Sequence, residues 1–599
     1  MYVRACICET QSLNHHTKGG KKEKGRKRER ERVVVAMSSP PVSSVKPGVS
    51  LHSPLTSGGK AAKRDSLISV AGAQDWTSHS YSQEEITAVA EHVNETYYKE
   101  TKDDDDMDGY GGRLPLATMP GEFFEGLKDG VVLCWFINVV VPETLDMRCV
   151  VKKQNLNKWE LQENVNLCVN SARAVGVKMV NIGAEDIIEK KAHLVLSVLW
   201  QLIKMQLLAS ITLQQVPELV LLLEEGEELK SLLKLPPEAI LIRWVNYHLA
   251  KSGTERRIKN LSSDIKDAEP YARLLHQLDS EKCDSAAALR EQDTLKRAEM
   301  VLESAGKVNL DKYVTAKDIV AGKHQMNLAF VANIFNTNHG LVVAEEEIAS
   351  LDFAELEEEE QDGVSGREER CFRNWINAQQ NTHVHSLVDD LQDGVIFLET
   401  LDKLKPGLVN PKSINRPPFK LPFKKMENCG SVIKYAKELN LQLVGIGGED
   451  IVEGNRKLML GLLWQLVRFD TLRLLNSVST QGSAVKGDSD VLKWANETVA
   501  KGGSDRQIRN FRDKSMTDGL FFIDLLKAIE PRIINPELVI DPAESDKDKE
   551  MNAKYVISAA RKLGCTVYLL WEHIVEVDQK MLLVMTAALM AVEKKKSQK

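Results

Sequence analysis

The chain lacks the residue patterns on which most enzymes and metal proteins depend. Its 599 residues contain no GxxxxGK[ST] phosphate loop, no GxGxxG fingerprint, no HExxH zinc motif and no GxSxG nucleophile motif. The nine cysteines are scattered, and apart from Cys6 and Cys8 none form a close pair that would suggest a zinc site or a disulfide framework. These absences predict a protein that is not an enzyme, binds no cofactor or metal, and acts through its surfaces.

Long apolar runs are also missing. No uninterrupted apolar stretch approaches the roughly 18 residues that a membrane span needs, and the N-terminus lacks the apolar segment of a signal peptide. The formal net charge of −7 is small for the length, so it favours no class of partner. We therefore expect a soluble, cytoplasmic protein that contacts no membrane and no nucleic acid.

The first 82 residues have little that could form a core. A mixed-charge run at 18–32, rich in Lys and Arg, is followed by Ser, Pro and Gly, and Met37 offers a second possible start. Such a segment cannot bury enough apolar surface to offset its ordering entropy, so we predict a disordered tail. A nucleic-acid patch in the basic run is the alternative, and deletion of 1–82 would test it.

What is present is a long internal repeat. The stretch from Glu163 to Leu208 recurs from Glu427, with Glu-Asn at the start, Ile-Gly-x-Glu-Asp-Ile in the middle and Leu-Trp-Gln-Leu near the end. Asp186 lies as far before Trp200 as Asp450 lies before Trp464. The last helix of each copy is apolar nearly all round, which predicts the buried centre of a helical domain.

Two further segments precede that stretch in each repeat. One is an opening helix that carries Trp-x-Asn at Trp244, Trp375 and Trp494, and His92-Val-Asn in the first copy; we interpret the Trp as a core anchor. The other is an apolar helix after Asp-Gly, at Asp129, Asp393 and Asp518, with Asp267 at the equivalent point of the second copy. These marks recur every 125 to 138 residues. Weaker copies of the long stretch lie at 295–335 and 550–592.

The sequence therefore predicts an all-α chain of four units. Ser82 is the predicted N-cap of the first opening helix, with Glu84 and Glu85 in its first turn. The predicted segments are a disordered tail at 1–82, unit 1 at 83–212, unit 2 at 234–342, an acidic linker at 343–366, unit 3 at 367–476 and unit 4 at 488–597.

The order Trp-x-Asn helix, Asp-Gly helix and Leu-Trp-Gln-Leu helix resembles the calponin-homology domain. Four such domains, grouped as two tandem pairs, resemble the fimbrin (plastin) family, and the likeness extends to phrases such as SARAVGVKMVNIGAEDI and REERCFRNWIN. It covers about residues 83–597. We call units 1 and 2 module 1, and units 3 and 4 module 2.

The chain departs from that family in two places. Fimbrins usually carry two EF-hands before the first domain, but the only loop-like run here starts at Asp104 and has Pro115 where a calcium loop needs its twelfth-position acid. We therefore expect a solvated acidic loop and no calcium regulation by EF-hands. The second departure is His92 in place of Trp, which we expect to weaken the core of unit 1 locally.

The resemblance implies filamentous actin as the partner, with three patches in each module. In module 1 they are 84–97, 157–166 with part of the final helix up to Lys204, and 237–248; in module 2 they are 370–380, 419–434 and 490–497. The candidate actin-binding residues of module 1 are Glu84, Glu85, Lys158, Glu160, Glu163, Lys204 and Arg243. Those of module 2 are Arg373, Lys420, Lys424, Lys425, Glu427 and Lys493.

Two modules in one chain predict a function. Each could hold one filament, so a monomer would bundle actin without dimerising. A linker of roughly 25 residues spans at most about 85 Å, which favours tight bundles. The alternative is that only one module binds actin while the other binds a different partner, such as microtubules.

Overall fold

The computed structural model describes residues 67–68, 81–101, 110–233, 235–343, 363–379, 383–421, 423–477, 485 and 487–597. Most of the predicted tail and acidic linker, and the acidic run at 103–108, lie outside these residues. Within them, the strands are the two-residue pair Leu67–Ile68 and Tyr81–Ser82, which are antiparallel with Leu67 opposite Ser82. The remaining regular structure is helical, which confirms the predicted all-α class.

Module 1 contains thirteen of the described α-helices. Those of unit 1 are α1 Gln83–Glu100, α2 Pro120–Leu127, α3 Val131–Val140, α4 Lys158–Ala174, α5 Ala184–Ile188 and α6 Ala192–Ala209. The connector contributes α7 Leu229–Leu233, and unit 2 has α8 Pro237–Lys251, α9 Glu269–Leu278, α10 Ser285–Arg290, α11 Thr294–Gly306, α12 Ala316–Ala321 and α13 His324–Thr337.

Module 2 repeats the arrangement. Unit 3 has α14 Gly363–Gln379, α15 Leu387–Leu391, α16 Val395–Leu404, α17 Phe423–Glu438, α18 Gly448–Val452 and α19 Arg456–Ser477. Unit 4 has α20 Asp488–Lys501, α21 Leu520–Ile529, α22 Asp546–Leu563, α23 Trp571–Val575 and α24 Gln579–Ser597. The described 3-10 turns are Met147–Cys149, Pro217–Leu222, Ser263–Ile265, Pro411–Ser413, Lys514–Met516, Pro531–Ile533 and Pro536–Leu538.

The predicted helix starts are confirmed. The Oγ of Ser82 accepts the N–H of Glu85 at 3.2 Å, as an N-cap should. Before α3, the Asp129 carboxylate accepts the N–H of Val131 at 3.1 Å, and Gly130 has φ +75°. The Asp-Gly pair is therefore a cap, in which Asp supplies the acceptor and Gly the left-handed turn.

The Asn of each Trp-x-Asn motif holds the loop that follows its helix. The side-chain amide of Asn377 donates to the carbonyl of Val384 at 2.9 Å, and its oxygen accepts the N–H of Val384 at 2.7 Å. The same paired contact joins Asn94 to Leu116, Asn246 to Ile258 and Asn496 to Ile508. The asparagine thus fixes a backbone segment in all four units, including unit 1, where His92 replaces the Trp.

The aromatic part of the motif joins the opening helix of a unit to its last helix or to the residues just after that helix. The indole N–H of Trp244 donates to the carbonyl of His339 at 2.7 Å, and that of Trp494 donates to Glu593 at 2.9 Å. Trp244 and Trp375 are buried core residues, as predicted, whereas Trp494 is half-buried.

His92, the departure from the motif, is buried and has partners on both ring nitrogens. Its Nδ1 lies 2.6 Å from the hydroxyl of Tyr313, a residue of unit 2, and its Nε2 lies 2.7 Å from Oε1 of Gln206. Desolvation by burial lowers the pKa of His92. The histidine therefore links units 1 and 2; the predicted weakening of the core stays a prediction.

The apolar helix α6 forms the centre of unit 1. By length and composition alone, with a mean hydropathy of 1.4, it could cross a membrane. The helix instead packs against α3 and α13, and Leu199, Leu202 and Ile203 on it are fully buried. Near its end, Asn336 of α13 donates to the carbonyl of Leu207 at 2.9 Å. Contacts between final helices also join units 3 and 4, where α19 packs on α24.

The two modules pack against each other through unit 1. Helix α4 lies along α22 of unit 4, where the Asn170 amide donates to the carbonyl of Arg561 at 3.0 Å and accepts from the hydroxyl of Thr566 at 2.7 Å. At the end of α4, Asn374 of unit 3 donates to the carbonyl of Ala174 at 3.0 Å. Unit 1 is therefore in contact with both units of module 2.

Candidate functional site

Three of the module 1 candidates lie on accessible surface. Glu84 is on the exposed face of α1, and Lys158 is the first residue of α4. Lys204 is exposed on α6, with its ammonium 3.5 Å from the carboxylate of Glu238 in unit 2. These side chains are available to a partner.

Two further module 1 candidates hold their own unit together. Glu85 accepts the indole N–H of Trp200 at 2.8 Å, and desolvation by burial raises its pKa. Glu160 accepts the N–H of Asn157 at 2.9 Å to complete the capping box of α4, and it pairs with Lys153 at 2.7 Å. The bond to Lys153 is the main cause of the lowered pKa of Glu160.

The last two module 1 candidates form partly or largely buried ion pairs. Arg243 binds Glu227 of the connector at 2.6 Å. Glu163 pairs with Lys562 of unit 4 at 3.3 Å, with side chains only 15% and 9% exposed. The structure therefore assigns Glu163 a role in the contact between modules, which sequence reasoning did not identify.

The module 2 candidates concentrate on one surface at the start of α17. We define the lysine-aromatic surface as Phe419, Lys420, Leu421, Phe423, Lys424, Lys425, Met426 and Glu427. Leu421, Phe423 and Met426 are 49%, 51% and 38% exposed, and exposed apolar side chains grouped in this way mark an interaction surface. The ammonium of Lys424 lies 5.0 Å from the Phe423 ring and 2.8 Å from Glu427, while Lys425 lies over Phe419 at 5.8 Å.

Outside this surface, the two other module 2 candidates differ in how accessible they are to a partner. Lys493 is well exposed on α20, 3.9 Å from Glu497. Arg373 donates instead to the carbonyl of His385 at 2.9 Å and so fixes the loop after α14. Patch 370–380 is also partly covered, because α14 packs against α4 of unit 1.

Sequence reasoning missed one exposed aromatic residue, Trp159, which is 60% exposed. It lies four residues before Glu163, just as Phe423 lies four residues before Glu427. Alignment of the repeated Glu-Asn pairs would have found this match. Both odd-numbered units thus present an aromatic side chain at the start of the equivalent helix.

The two equivalent aromatic positions are not equally open. The Arg532 guanidinium of unit 4 lies 4.5 Å from the Trp159 ring centroid, at a cation–π distance. No described cation of another unit lies over the Phe423 ring. In this arrangement module 2 presents its aromatic surface, whereas module 1 has one face of Trp159 covered by unit 4.

Buried charge marks the contact between the modules. Arg561 is 3% exposed, and its guanidinium donates to the carbonyls of Thr144 and Val567. Desolvation lowers the pKa of Arg561 to about 10. Because these groups lie at the contact, separation of the modules would return them to water.

The four-unit fold agrees with that of known proteins. The family model described as "Calponin homology (CH) domain" matches residues 111–207, 235–340, 366–471 and 486–595. Fimbrin-3 of Arabidopsis thaliana is 46% identical over 517 residues, which are 86% of this chain and 70% of that protein. Plastin-2 of Danio rerio is 40% identical over 544 residues, which are 88% of this chain and 84% of that protein.

A solved structure is similar over nearly the same region. The crystal structure of the actin-crosslinking core of Schizosaccharomyces pombe fimbrin superposes with a TM-score of 0.68 at 37% identity, and the match covers 85% of this chain and all of that one. The four-unit helical arrangement is thus one that a crystal structure has already described.

Proposed function

Because the chain belongs to the fimbrin (plastin) family of calponin-homology proteins, we propose that it cross-links actin filaments into bundles. The observation that carries the proposal is the presence of two complete modules in one chain, each with an exposed aromatic residue at the start of the equivalent helix. The names of its relatives and the actin-crosslinking core of the yeast fimbrin support the same partner.

In module 2, the lysine-aromatic surface is the principal contact. Phe423 and Leu421 supply apolar area that a filament can bury, as interface anchors do. Lys420, Lys424 and Lys425 supply positive charge for an acidic filament surface, which accelerates encounter and fixes orientation. Lys493, on α20, extends the contact into unit 4.

In module 1, Trp159 takes the place of Phe423, with Lys158 next to it in sequence, and Glu84 and Lys204 are exposed on α1 and α6. Arg532 must leave the ring before both faces of Trp159 can contact a partner. We therefore place binding by module 2 first and binding by module 1 second. The packing of unit 1 on units 3 and 4 keeps the modules close, which favours tight bundles by a monomer.

Full-length variants test the proposal. Phe423→Ala with Lys425→Ala removes the module 2 contact, and Trp159→Ala with Lys158→Ala removes the module 1 contact. Each double variant should still pellet with filaments at high speed and should lose the bundled pellet at low speed. Lys437→Ala, an exposed position on α17 away from the surface, should bundle like the parent chain. A bundled pellet from both double variants would refute the proposal.

We also propose that bundling does not depend on calcium. The support is the residue pattern, since Pro115 stands where an EF-hand loop starting at Asp104 needs its final acid. Bundled actin should be equal in calcium and in a calcium chelator. A change of severalfold would contradict this part of the proposal.

One observation favours a second candidate function. Patch 157–166 contains Lys158, Glu160 and Glu163, whereas 418–428 contains three lysines and one glutamate. Surfaces of opposite net charge suit different partners, so module 1 would then bind something else, such as microtubules. The module 2 double variant, tested against both polymers, separates the two: it should retain actin binding in the first case and lose it in the second.

The predictions of a cytoplasmic location at the actin cytoskeleton, of no enzymatic activity, and of no nucleic-acid or membrane partner remain part of the same proposal.

A further inference from the structure

One turn recurs in all four units, between the long polar helix and the short helix that follows it. It spans residues 175–183 in unit 1, 307–315 in unit 2, 439–447 in unit 3 and 564–570 in unit 4. Each turn ends at a short helix whose third residue is an Asp or His that caps the helix start. Because this capping residue aligns the four turns, each residue of one turn has an equivalent in the others.

Two of the turns lie on the opening helix of the neighbouring unit in their own module. In module 1, the hydroxyl of Tyr313 lies 2.6 Å from Nδ1 of His92, and the ammonium of Lys312 pairs with Glu95 at 2.5 Å, so the unit 2 turn lies on α1. In module 2, the Sγ of Cys371 in α14 donates to the carbonyl of the tyrosine equivalent to Tyr313, at 3.1 Å. The unit 2 and unit 4 turns therefore make the same kind of contact.

The unit 1 turn also meets an opening helix, in this case one of the other module. Just before the turn, the side chain of Asn374 in α14 donates to the carbonyl of Ala174 at 3.0 Å. Within the turn, a Cβ at Gly176 would lie 3.3 Å from the Cβ of Asn377, also in α14. Three of the four turns thus lie against the opening helix of another unit.

The unit 3 turn is much more exposed than its equivalents. Three apolar side chains that are buried in the unit 1 turn have partly exposed equivalents in unit 3, which are Leu441, Leu443 and Ile446. At the tip of the unit 3 turn, Val444 is 83% exposed. Among the described residues, no neighbouring atom lies within 4 Å of the place where a Cβ at Gly445 would stand. Exposed apolar residues grouped in this way mark a contact surface that nothing covers in this chain.

An opening helix with an accessible face is present in unit 4. On α1, the unit 2 turn is held by His92 and Glu95, and the equivalent residues of α20 are Trp494 and Glu497. Trp494 is half-buried, and the side chain of Glu497 is 53% exposed. On α8, the equivalent Trp244 is fully buried. Module 2 therefore presents both an uncovered turn and an accessible helix face of the kind that covers such a turn in module 1.

We propose that the unit 3 turn docks on α20 of a second copy of this chain, in a dimer to which each copy supplies one turn and one helix. The three covered turns support an opening helix as the occupant. Within one chain both surfaces are exposed, so the helix must come from another molecule. A single turn is small beside the roughly 800 Å² that each partner of a stable interface buries, so we expect a weak, concentration-dependent dimer. The contact needs no actin and is separate from the proposed function, because two modules in one chain can bundle filaments without it.

Sedimentation equilibrium of the full chain, without actin, tests the contact. The parent should show a monomer–dimer equilibrium. Val444→Glu, at an exposed position, should raise the dimer Kd by about tenfold or more, because it removes apolar area from the interface and brings a second carboxylate to Glu497. Val180→Glu is the matched control, since Val180 is the equivalent residue of unit 1 and is 61% exposed; it should leave the Kd unchanged. A parent that stays monomeric, or equal Kd values for the two variants, would overturn the proposal.

A charge exchange tests which helix receives the turn. In unit 2 the residue equivalent to Val444 is Lys312, which pairs with Glu95 of α1. Val444→Lys should therefore dimerise more tightly than Val444→Glu, and in a Glu497→Lys background this order should reverse. An unchanged order would overturn the assignment of α20. If Val444→Glu instead lowers filament affinity and leaves the dimer Kd unchanged, the turn contacts actin, which would also overturn the proposal.

Discussion

Four asparagine side chains hold the loops that follow the opening helices, and each does so with two bonds to one backbone residue. Asn377 is 2% exposed, so both bonds to Val384 lie in the interior. A buried backbone group without a hydrogen-bond partner destabilises the folded state. Loss of one side-chain amide that satisfies two such groups therefore has a large effect on stability.

Asn377→Ala should therefore destabilise unit 3. It leaves the N–H and the carbonyl of Val384 without partners, and we expect the free energy of unfolding to fall by about 2–4 kcal/mol. Urea unfolding monitored by circular dichroism measures the loss. Lys437→Ala on the same unit serves as the control, and a midpoint equal to the control would contradict the role of the amide.

Glu530 gives a prediction about pH. Hydrogen bonds from Arg532, opposed by desolvation and reinforced by Lys596, lower the pKa of Glu530 to about 2. A carboxyl whose folded pKa is depressed contributes stability above its unfolded pKa of about 4.3, and that stability is lost as the pH falls toward 2.

In the Glu530→Gln variant, the free energy of unfolding should accordingly fall less than in the parent between about pH 4.3 and pH 2. At pH 7 the variant should be less stable than the parent, and the two stabilities should converge as the acid limit is approached. Thermal unfolding across this range is the measurement. Parallel curves for the two proteins would show that the carboxyl does not titrate as inferred.

At the scale of the element, the start of a helix depends on what packs against it. Gly394 and Gly519 have nearly the same backbone, with φ of +76° and +74°, but their surroundings differ. A Cβ at Gly394 would lie 3.0 Å from Asn428, whereas a Cβ at Gly519 would lie 3.4 Å from Asn552. The equivalent residue of unit 2 is Ala268, with φ +58°, so the left-handed turn itself tolerates a methyl group.

We therefore expect Gly394→Ala to cost more than Gly519→Ala. Both substitutions should lower the free energy of unfolding by about 1–2 kcal/mol because of the left-handed conformation. Only Gly394→Ala should lower it further, because its methyl group would contact α17 closely. Comparison of the two denaturation midpoints against the parent tests the order. A larger loss for Gly519→Ala would show that the close approach is relieved at little cost.

The start of α4 shows how one element's surface depends on another unit. Trp159 is exposed, yet Arg532 of unit 4 lies over its ring. Arg532→Ala should uncover that face and raise filament affinity through module 1 by about twofold to tenfold, the range of a cation–π contact. High-speed co-sedimentation in the Phe423→Ala, Lys425→Ala background isolates module 1. Unchanged affinity would mean that the contact does not compete with the filament.

At the scale of the whole molecule, the contact between modules determines how far apart two filaments can be held. The Glu163–Lys562 pair is nearly buried, so removal of one partner leaves an uncompensated charge, whereas replacement of both by apolar residues can be nearly neutral. The pair therefore offers a way to separate the modules by design.

Lys562→Met alone should open the molecule, and Lys562→Met with Glu163→Met should close it again. Small-angle scattering should report a larger radius of gyration for the single variant and a value near the parent for the double variant. Bundles made by the single variant should be more widely spaced. If the single variant stays compact, the packing of α4 on α22 is sufficient without the pair.

Much of the fold was predictable because its signals are local. Ser82, Asp129-Gly130 and the Trp-x-Asn motifs act over a few residues, and their recurrence indicated four helical units in the right order. The apolar spacing of α6 and α19 likewise predicted buried central helices. Part of the candidate site was also predictable from the sequence, since Lys420 and Lys424 lie on an exposed surface. Whether these residues bind actin stays a prediction.

By itself, the sequence determined the helical class, the number of units and the segments that form each core, because periodicity and capping depend on neighbouring residues. Only the tertiary structure decided which charged candidates are already engaged. Glu163 meets Lys562 across almost 400 residues of chain, and Arg532 covers one face of Trp159. Such pairs leave no periodic trace in a sequence, because they arise where independently folded surfaces come together.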